Sequence, residues 1–157
     1  RIYRTSPSLN ISTPFKQGKK YDLVILDAFD QVYVPEHMLT REYLLEVKSL
    51  LAPGGVLAAN TFSASKLYDA ESATYASVFG PFYNLKTENR VILASNGPLS
   101  AMAQIKANAQ QVEPKLQVFG TGQDWLLPRF SSDVQWPAGT RLLTDQYSPA
   151  NLLNRKN

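Results

Sequence analysis

Tyr21-Asp22-Leu23-Val24-Ile25-Leu26-Asp27-Ala28-Phe29-Asp30 is the stretch from which the rest of the chain is read. The aliphatic run at 23–26, bounded by acids, predicts a strand buried on both faces, as in a parallel sheet covered by helices. Residues 28–39 read as a loop broken by Pro35. In open α/β sheets, ligands bind beyond the carboxyl ends of the strands. Asp27 stands at such an end, and Asp30 follows three residues along the loop. Two carboxylates turned into one cavity repel, and one pKa rises unless a cation neutralises the pair. A diamine supplies that cation, and a carboxylate can accept a proton from an ammonium nucleophile. The same spacing also suits a loop cap at Asp27 with a solvated Asp30.

Downstream, Thr40 caps a predicted helix to about Leu51, with Tyr43, Leu44, Val47, Leu50 and Leu51 on one stripe. Pro53-Gly54-Gly55 stops it. Residues 56–62 read as a second buried strand, and Ser65 caps a helix to Phe79, with Leu67, Thr74, Tyr75 and Val78 inward. Gly80-Pro81 ends that helix. Residues 82–87 and 90–95 form a hairpin around Glu88-Asn89. A weaker helix spans 100–112, with Met102, Ile105, Ala109 and Val112 as its apolar face and Pro114 beyond its end. The tail, 115–157, reads as irregular, with a helical turn near Trp125 and a strap or strand at 142–147.

This order predicts an α/β sheet, parallel at first with an antiparallel edge hairpin. The chain divides into an irregular lead-in (1–20), an α/β core (21–112) and a C-terminal strap (113–157) of one partial domain. The central strand has a neighbour on one side only, which predicts the C-terminal half of a larger sheet. Its open edge is expected to find a partner in the missing half or in another copy.

Composition removes several function classes. The chain has 157 residues, enough for one core. No apolar run is long enough to span a membrane, and residues 1–20 hold no apolar leader core. Zero cysteines exclude thiolate zinc sites and cysteine nucleophiles and accord with a reducing cytoplasm, and one histidine, His37, is too few for a His-rich metal site. Net charge is +3, yet residues 22–46 carry Asp22, Asp27, Asp30, Glu36, Glu42 and Glu46 against Arg41 alone, a stretch suited to a cationic ligand or to solvent. No phosphate loop or nucleic-acid motif is present.

The pattern around these acids resembles the spermidine synthase (polyamine aminopropyltransferase) family, in its divergent spermidine synthase-like bacterial branch. The resemblance is carried by residues 21–30, Pro35, Leu39-Thr40-Arg41-Glu42-Tyr43, Leu51-Ala52-Pro53-Gly54-Gly55-Val56-Leu57, Arg90-Val91-Ile92-Leu93-Ala94, and the tail Leu143-Thr144-Asp145-Gln146-Tyr147-Ser148-Pro149. It implies the C-terminal half of a Rossmann-like S-adenosylmethionine-dependent methyltransferase fold. It also implies decarboxylated S-adenosylmethionine as aminopropyl donor, a small polyamine or other amine as acceptor, no metal, and a homo-oligomer in the cytoplasm. By position, Asp27 matches the base that orients and deprotonates the attacking amine, and Asp30 the carboxylate that binds the substrate ammonium. Asn60 falls where the family often has a glutamine, and Tyr83 lies close to its diamine-holding tyrosine, which is replaced near Lys86. Asp27, Ala28 and Pro35 match the nucleotide side.

The family's Gly-rich nucleotide loop is absent here, so the chain by itself is expected to be inactive. A methyltransferase using S-adenosylmethionine itself, or a catalytically silent member, is the alternative on the same fold. His37 is expected to be a loop residue with a backbone partner. Tyr68 and Tyr75 are expected to pack, Trp125 and Trp136 to anchor the tail, and Asp145 and Tyr147 to belong to the strap.

Overall fold

The computed structural model describes residues 2–5 as backbone, and residues 18–27, 35–61 and 67–153 in full. Six strands form one sheet in the order β1-β2-β3-β5-β4-β6. They are β1 (Ile2–Thr5), β2 (Tyr21–Leu26), β3 (Leu51–Thr61), β4 (Tyr83–Lys86), β5 (Arg90–Ser95) and β6 (Phe130–Ser131). The first three pair in parallel, and β5, β4 and β6 add antiparallel pairs. This is the mixed α/β sheet that the order of elements predicts.

The lead-in is not wholly irregular: Ile2–Thr5 pairs with residues 23–26 of β2. The open edge expected at β2 is therefore closed by the chain's own first residues. Four residues joined by a distant parallel pairing carry too little periodicity to be read as a strand.

Helix α1 (Arg41–Leu50) starts where Thr40 Oγ1 accepts from the Tyr43 N–H at 3.2 Å and donates to the His37 carbonyl at 3.1 Å. Its buried residues Leu44, Val47 and Leu50 recur at helical spacing. Helix α2 (Leu67–Phe79) ends at Gly80, whose φ of +73° suits glycine and whose N–H bonds the Ala76 carbonyl. Lys48 Nζ reaches the Val78 carbonyl at 2.6 Å, placing a cation on the negative end of α2. The cap predicted at Ser65 lies outside the described residues.

Both helices cover one face of the sheet. Val24, Leu26, Leu57, Ala59, Ile92 and Ala94 are buried there against Leu44, Val47, Tyr75 and Phe79. The alternate residues Leu23, Ile25, Val56, Ala58, Val91 and Leu93 are only half-buried. Among the described residues, α1 and α2 pack on the same side, and β2 is only half-covered on its second face.

Pro53-Gly54-Gly55 lies within β3 rather than before it, and the register slips between Tyr21 and Leu23 to absorb it. Gly54 N–H bonds the Asn96 carbonyl and Asn96 N–H bonds the Gly55 carbonyl, each at 2.9 Å, tying this bulge to the end of β5.

Helix α3 (Met102–Gln117) continues past Pro114. The Glu113 carboxylate accepts from the Gln123 N–H at 2.8 Å and from Gln117 Nε2 at 3.3 Å, which holds the turn that the proline weakens. None of its residues is buried. The predicted turn near Trp125 is α4 (Gln123–Leu126) followed by a 3₁₀ turn. No helix among the described residues is long and apolar enough to cross a membrane.

The strap is ordered by specific bonds. Arg41 N–H donates to the Leu143 carbonyl at 2.8 Å, and Leu143 N–H to Thr74 Oγ1 at 2.9 Å. Ser148 Oγ donates to the Glu36 carbonyl, and Asn151 N–H to the Glu36 carboxylate. Leu143 and Ala150, the first residue of α5 (Ala150–Leu153), are buried with Leu39, Leu67 and Ala70. The strap therefore clamps the 3₁₀ turn at Glu36–Leu39 onto α1 and α2.

Candidate functional site

The carboxyl ends of β1, β2 and β3 lie along one rim of the sheet. Leu26 pairs with Ala59, so Asp27 emerges beside Asn60. Asn60 Nδ2 donates to Asp27 Oδ1 at 3.2 Å, and both side chains are half-buried. Tertiary structure thus joins two residues 33 positions apart into a hydrogen-bonded pair at the place where such sheets bind ligands.

Asp30 and Ala28 lie outside the described residues. Pro35 is buried, and its carbonyl accepts from the Met38 N–H at 2.9 Å to open the 3₁₀ turn. Beside this turn is a cleft of about 410 Å³ lined by Glu36, His37, Thr40, Asp145, Gln146 and Ser148. Asp145 of the strap borders it, with its N–H on the Glu42 carboxylate. Tyr147 is turned to Arg141, whose guanidinium lies 3.4 Å from its ring centre.

Tyr83 is not brought to Asp27. Its register runs through Leu93 to Ala58 and Ile25, three strand spacings from β2, or about 14 Å. Its hydroxyl donates to the Ser100 carbonyl at 2.9 Å and its ring packs on Phe130. Lys86 is nearer the rim, with its ammonium over the Tyr68 ring at 4.9 Å. Trp136 stacks on Phe82 and anchors the tail to the body, whereas Trp125 is 45% exposed under the Arg129 guanidinium. Among the described residues no group of three or more His, Cys, Asp or Glu side chains could hold a metal ion.

Sequence reading missed the ionisable pair behind this rim. Glu71 of α2 and Arg90 of β5 are both fully buried. The signal was present: Glu71 follows Leu67 by four residues and precedes Tyr75 by four, on the inward stripe of α2. Tyr75, one turn further on, is also buried. Burial raises its hydroxyl pKa well above the ordinary range, and the Glu71 carboxyl adds to the shift.

No family model matches the chain. It is 45% identical to a polyamine aminopropyltransferase of Vibrio vulnificus (strain CMCP6), covering 98% of this chain and 52% of that protein. It is 28% identical to a probable polyamine aminopropyl transferase of Bifidobacterium longum (strain NCC 2705), covering 85% of this chain and 34% of the relative. Among solved structures, a probable spermidine synthase from Corynebacterium glutamicum ATCC 13032 matches with a TM-score of 0.59 at 19% identity, over 85% of this chain and 51% of that one. Human methyltransferase-like protein 13 in complex with SAH matches with the same TM-score at 23% identity, over 68% and 55%. These two likenesses are of fold. The chain spans about half the length of the first of its curated relatives and a third of the second. Within that span, the chain is similar to polyamine aminopropyltransferases.

Proposed function

We propose that the intact protein transfers an aminopropyl group from decarboxylated S-adenosylmethionine to an amine, with Asp27 as base. The observation that carries this reading is the Asn60–Asp27 hydrogen bond at the carboxyl rim of the parallel strands. The amide of Asn60 holds one carboxyl oxygen of Asp27 and so sets the orientation of the group. The carboxylate takes a proton from the acceptor's ammonium, which frees the nitrogen lone pair. That lone pair attacks the methylene carbon beside the sulfonium. A carbon–nitrogen bond forms, the carbon–sulfur bond breaks, and its electron pair stays on sulfur in the departing methylthioadenosine. The product nitrogen remains as a secondary ammonium, and Asp27 returns the proton it accepted to solvent, which restores the base.

Asp30, three residues on, is proposed to bind the second cationic end of a polyamine, and Ala28 and Pro35 to border the nucleotide. The family relationship supports these assignments. The strap, bonded to Glu36 and Glu42, supports them too, because it holds the segment that follows Pro35 in place. The intact enzyme is proposed to be cytoplasmic and homo-oligomeric.

The test is steady-state turnover of the intact protein with decarboxylated S-adenosylmethionine and putrescine, beside the Asp27→Asn variant. Loss of the base should lower kcat by roughly 10²- to 10⁴-fold. Wild-type-like turnover in the variant would refute the role of Asp27. Transfer from S-adenosylmethionine itself, in place of the decarboxylated form, would identify a methyltransferase.

A further inference from the structure

Glu71 is a buried acid that the proposed reaction does not use. Its neighbour Arg90 is well bonded, but to other groups. Arg90 Nε donates to Asn84 Oδ1 at 2.9 Å, Nη2 to Ser72 Oγ at 2.8 Å and Nη1 to the Tyr68 carbonyl at 3.3 Å. Its guanidinium also lies over the Tyr68 ring at 4.1 Å. Only Nη1 approaches Glu71, at 3.8 Å from Oε2, which is beyond hydrogen-bond length. Both carboxyl oxygens of Glu71, and Thr61 Oγ1, are buried without a hydrogen bond at standard geometry.

Thr61 is the last residue of β3 and pairs with Arg90 across the sheet. Side chains alternate along a strand, so Thr61 faces α2 while Asn60 faces the other side and reaches Asp27. Whatever holds Thr61 also sets where Asn60 stands. We propose that Glu71 is a positioning residue: its unbonded carboxyl lies beside Arg90 behind the Thr61 end of β3, and loss of its proton draws these groups in and shifts Asn60 and the Asp27 carboxyl it orients. The kinetic consequence rests on the proposed role of Asp27; the structural coupling does not.

The groups facing Glu71 are Arg90 from β5, Thr61 from β3 and Tyr75 from its own helix. Tyr43 of α1 acts on Tyr75, and Asp69 and Tyr68 act on Arg90. Burial pushes the Glu71 carboxyl from the ordinary 4.5 up to about 8, while Arg90 and the Thr61 hydroxyl pull it the other way. Burial thus favours the protonated form of Glu71. Once ionised, the carboxylate draws Nη1 from the Tyr68 carbonyl and pulls on the Thr61 hydroxyl, since an unbonded buried charge is the costlier arrangement.

The experiment follows the Glu71 carboxyl carbon and the Asn60 side-chain amide by NMR in the intact protein from pH 6 to about 9.5. Both signals are expected to move together in one step with a midpoint near 8. Glu71→Gln should abolish the Asn60 step. Thr61→Val should leave the Glu71 step in place and uncouple Asn60 from it, which keeps the test open should the glutamine variant fail to fold. A Glu71 titration that leaves Asn60 unmoved overturns the proposal, as does an Asn60 step that survives Glu71→Gln. Under the proposed reaction, kcat with putrescine falls through the same step with KM unchanged, and that limb is missing in Glu71→Gln. An inactive wild type that still shows the coupled steps refutes the function and leaves this inference standing; an active one without them does the reverse.

Discussion

Asn60 on β3 donates its side-chain amide to Asp27 at the end of β2, 3.2 Å away, across two adjacent parallel strands. A hydrogen bond to an ionised partner contributes about 1.5–3 kcal/mol. Asn60→Ala in the intact protein is therefore expected to lower kcat roughly 10- to 100-fold with a smaller change in KM. Asn60→Asp should do more, because it replaces the donor beside Asp27 with a carboxylate that repels it. A kcat within twofold of wild type in Asn60→Ala, measured at saturating substrate, would remove Asn60 from the site.

Glu71 also makes stability depend on pH. Its folded-state pKa of about 8 lies above the ordinary 4.5, so the folded form holds a proton that the unfolded form has lost between those values. Stability is therefore full below about pH 4.5 and declines as pH rises towards 8, by up to about 1.4 kcal/mol per pH unit from this group. Urea unfolding of the intact protein at pH 5.5, 6.5 and 7.5 should show the decline, and Glu71→Gln should flatten it. An equal slope in the variant would assign the pH dependence to other groups.

The strap hangs on a buried bond between the Leu143 N–H and Thr74 Oγ1. Thr74→Val keeps the side-chain volume and removes the acceptor. Leaving that N–H unsatisfied should cost about 1–3 kcal/mol. Thermal unfolding, with proteolysis around residues 141–149 as a local reporter, distinguishes a loosened strap from a global loss. Unchanged melting and unchanged cleavage would show that the bond adds nothing.

Gly55 sits where β3 crosses the start of β2. A Cβ there would lie 2.8 Å from the Tyr21 carbonyl oxygen and 3.0 Å from that of Ala52, both backbone atoms that cannot swing away. Gly55→Ala is expected to destabilise the intact protein by about 1–3 kcal/mol through forced backbone shifts. Gly139→Ala is the reference: nothing lies within 4 Å of its Cβ, and its cost comes only from a φ of +80°. A smaller loss at Gly55 than at Gly139, by denaturant midpoint, would contradict the packing seen at the β2–β3 crossing.

Local pattern was enough to determine part of this protein. The aliphatic run at 23–26, the Thr40 cap, the stripe of Leu44, Val47 and Leu50, and the hairpin at 83–95 each announce themselves within about a dozen residues, because strand and helix periodicity are properties of neighbouring side chains. Asp27 was legible for the same reason, as an acid ending an apolar strand. Pairings between distant segments were not legible. The short strand Ile2–Thr5, the Asn60 amide on Asp27, the distance of Tyr83 from that pair, and the Leu143–Thr74 bond are set by sheet register and chain crossings. Glu71 and Arg90 belong to the same class. Each is an ordinary charged residue in the sequence, and only the packing of α2 over the end of β3 and β5 removes both from water and gives them a shared energetics.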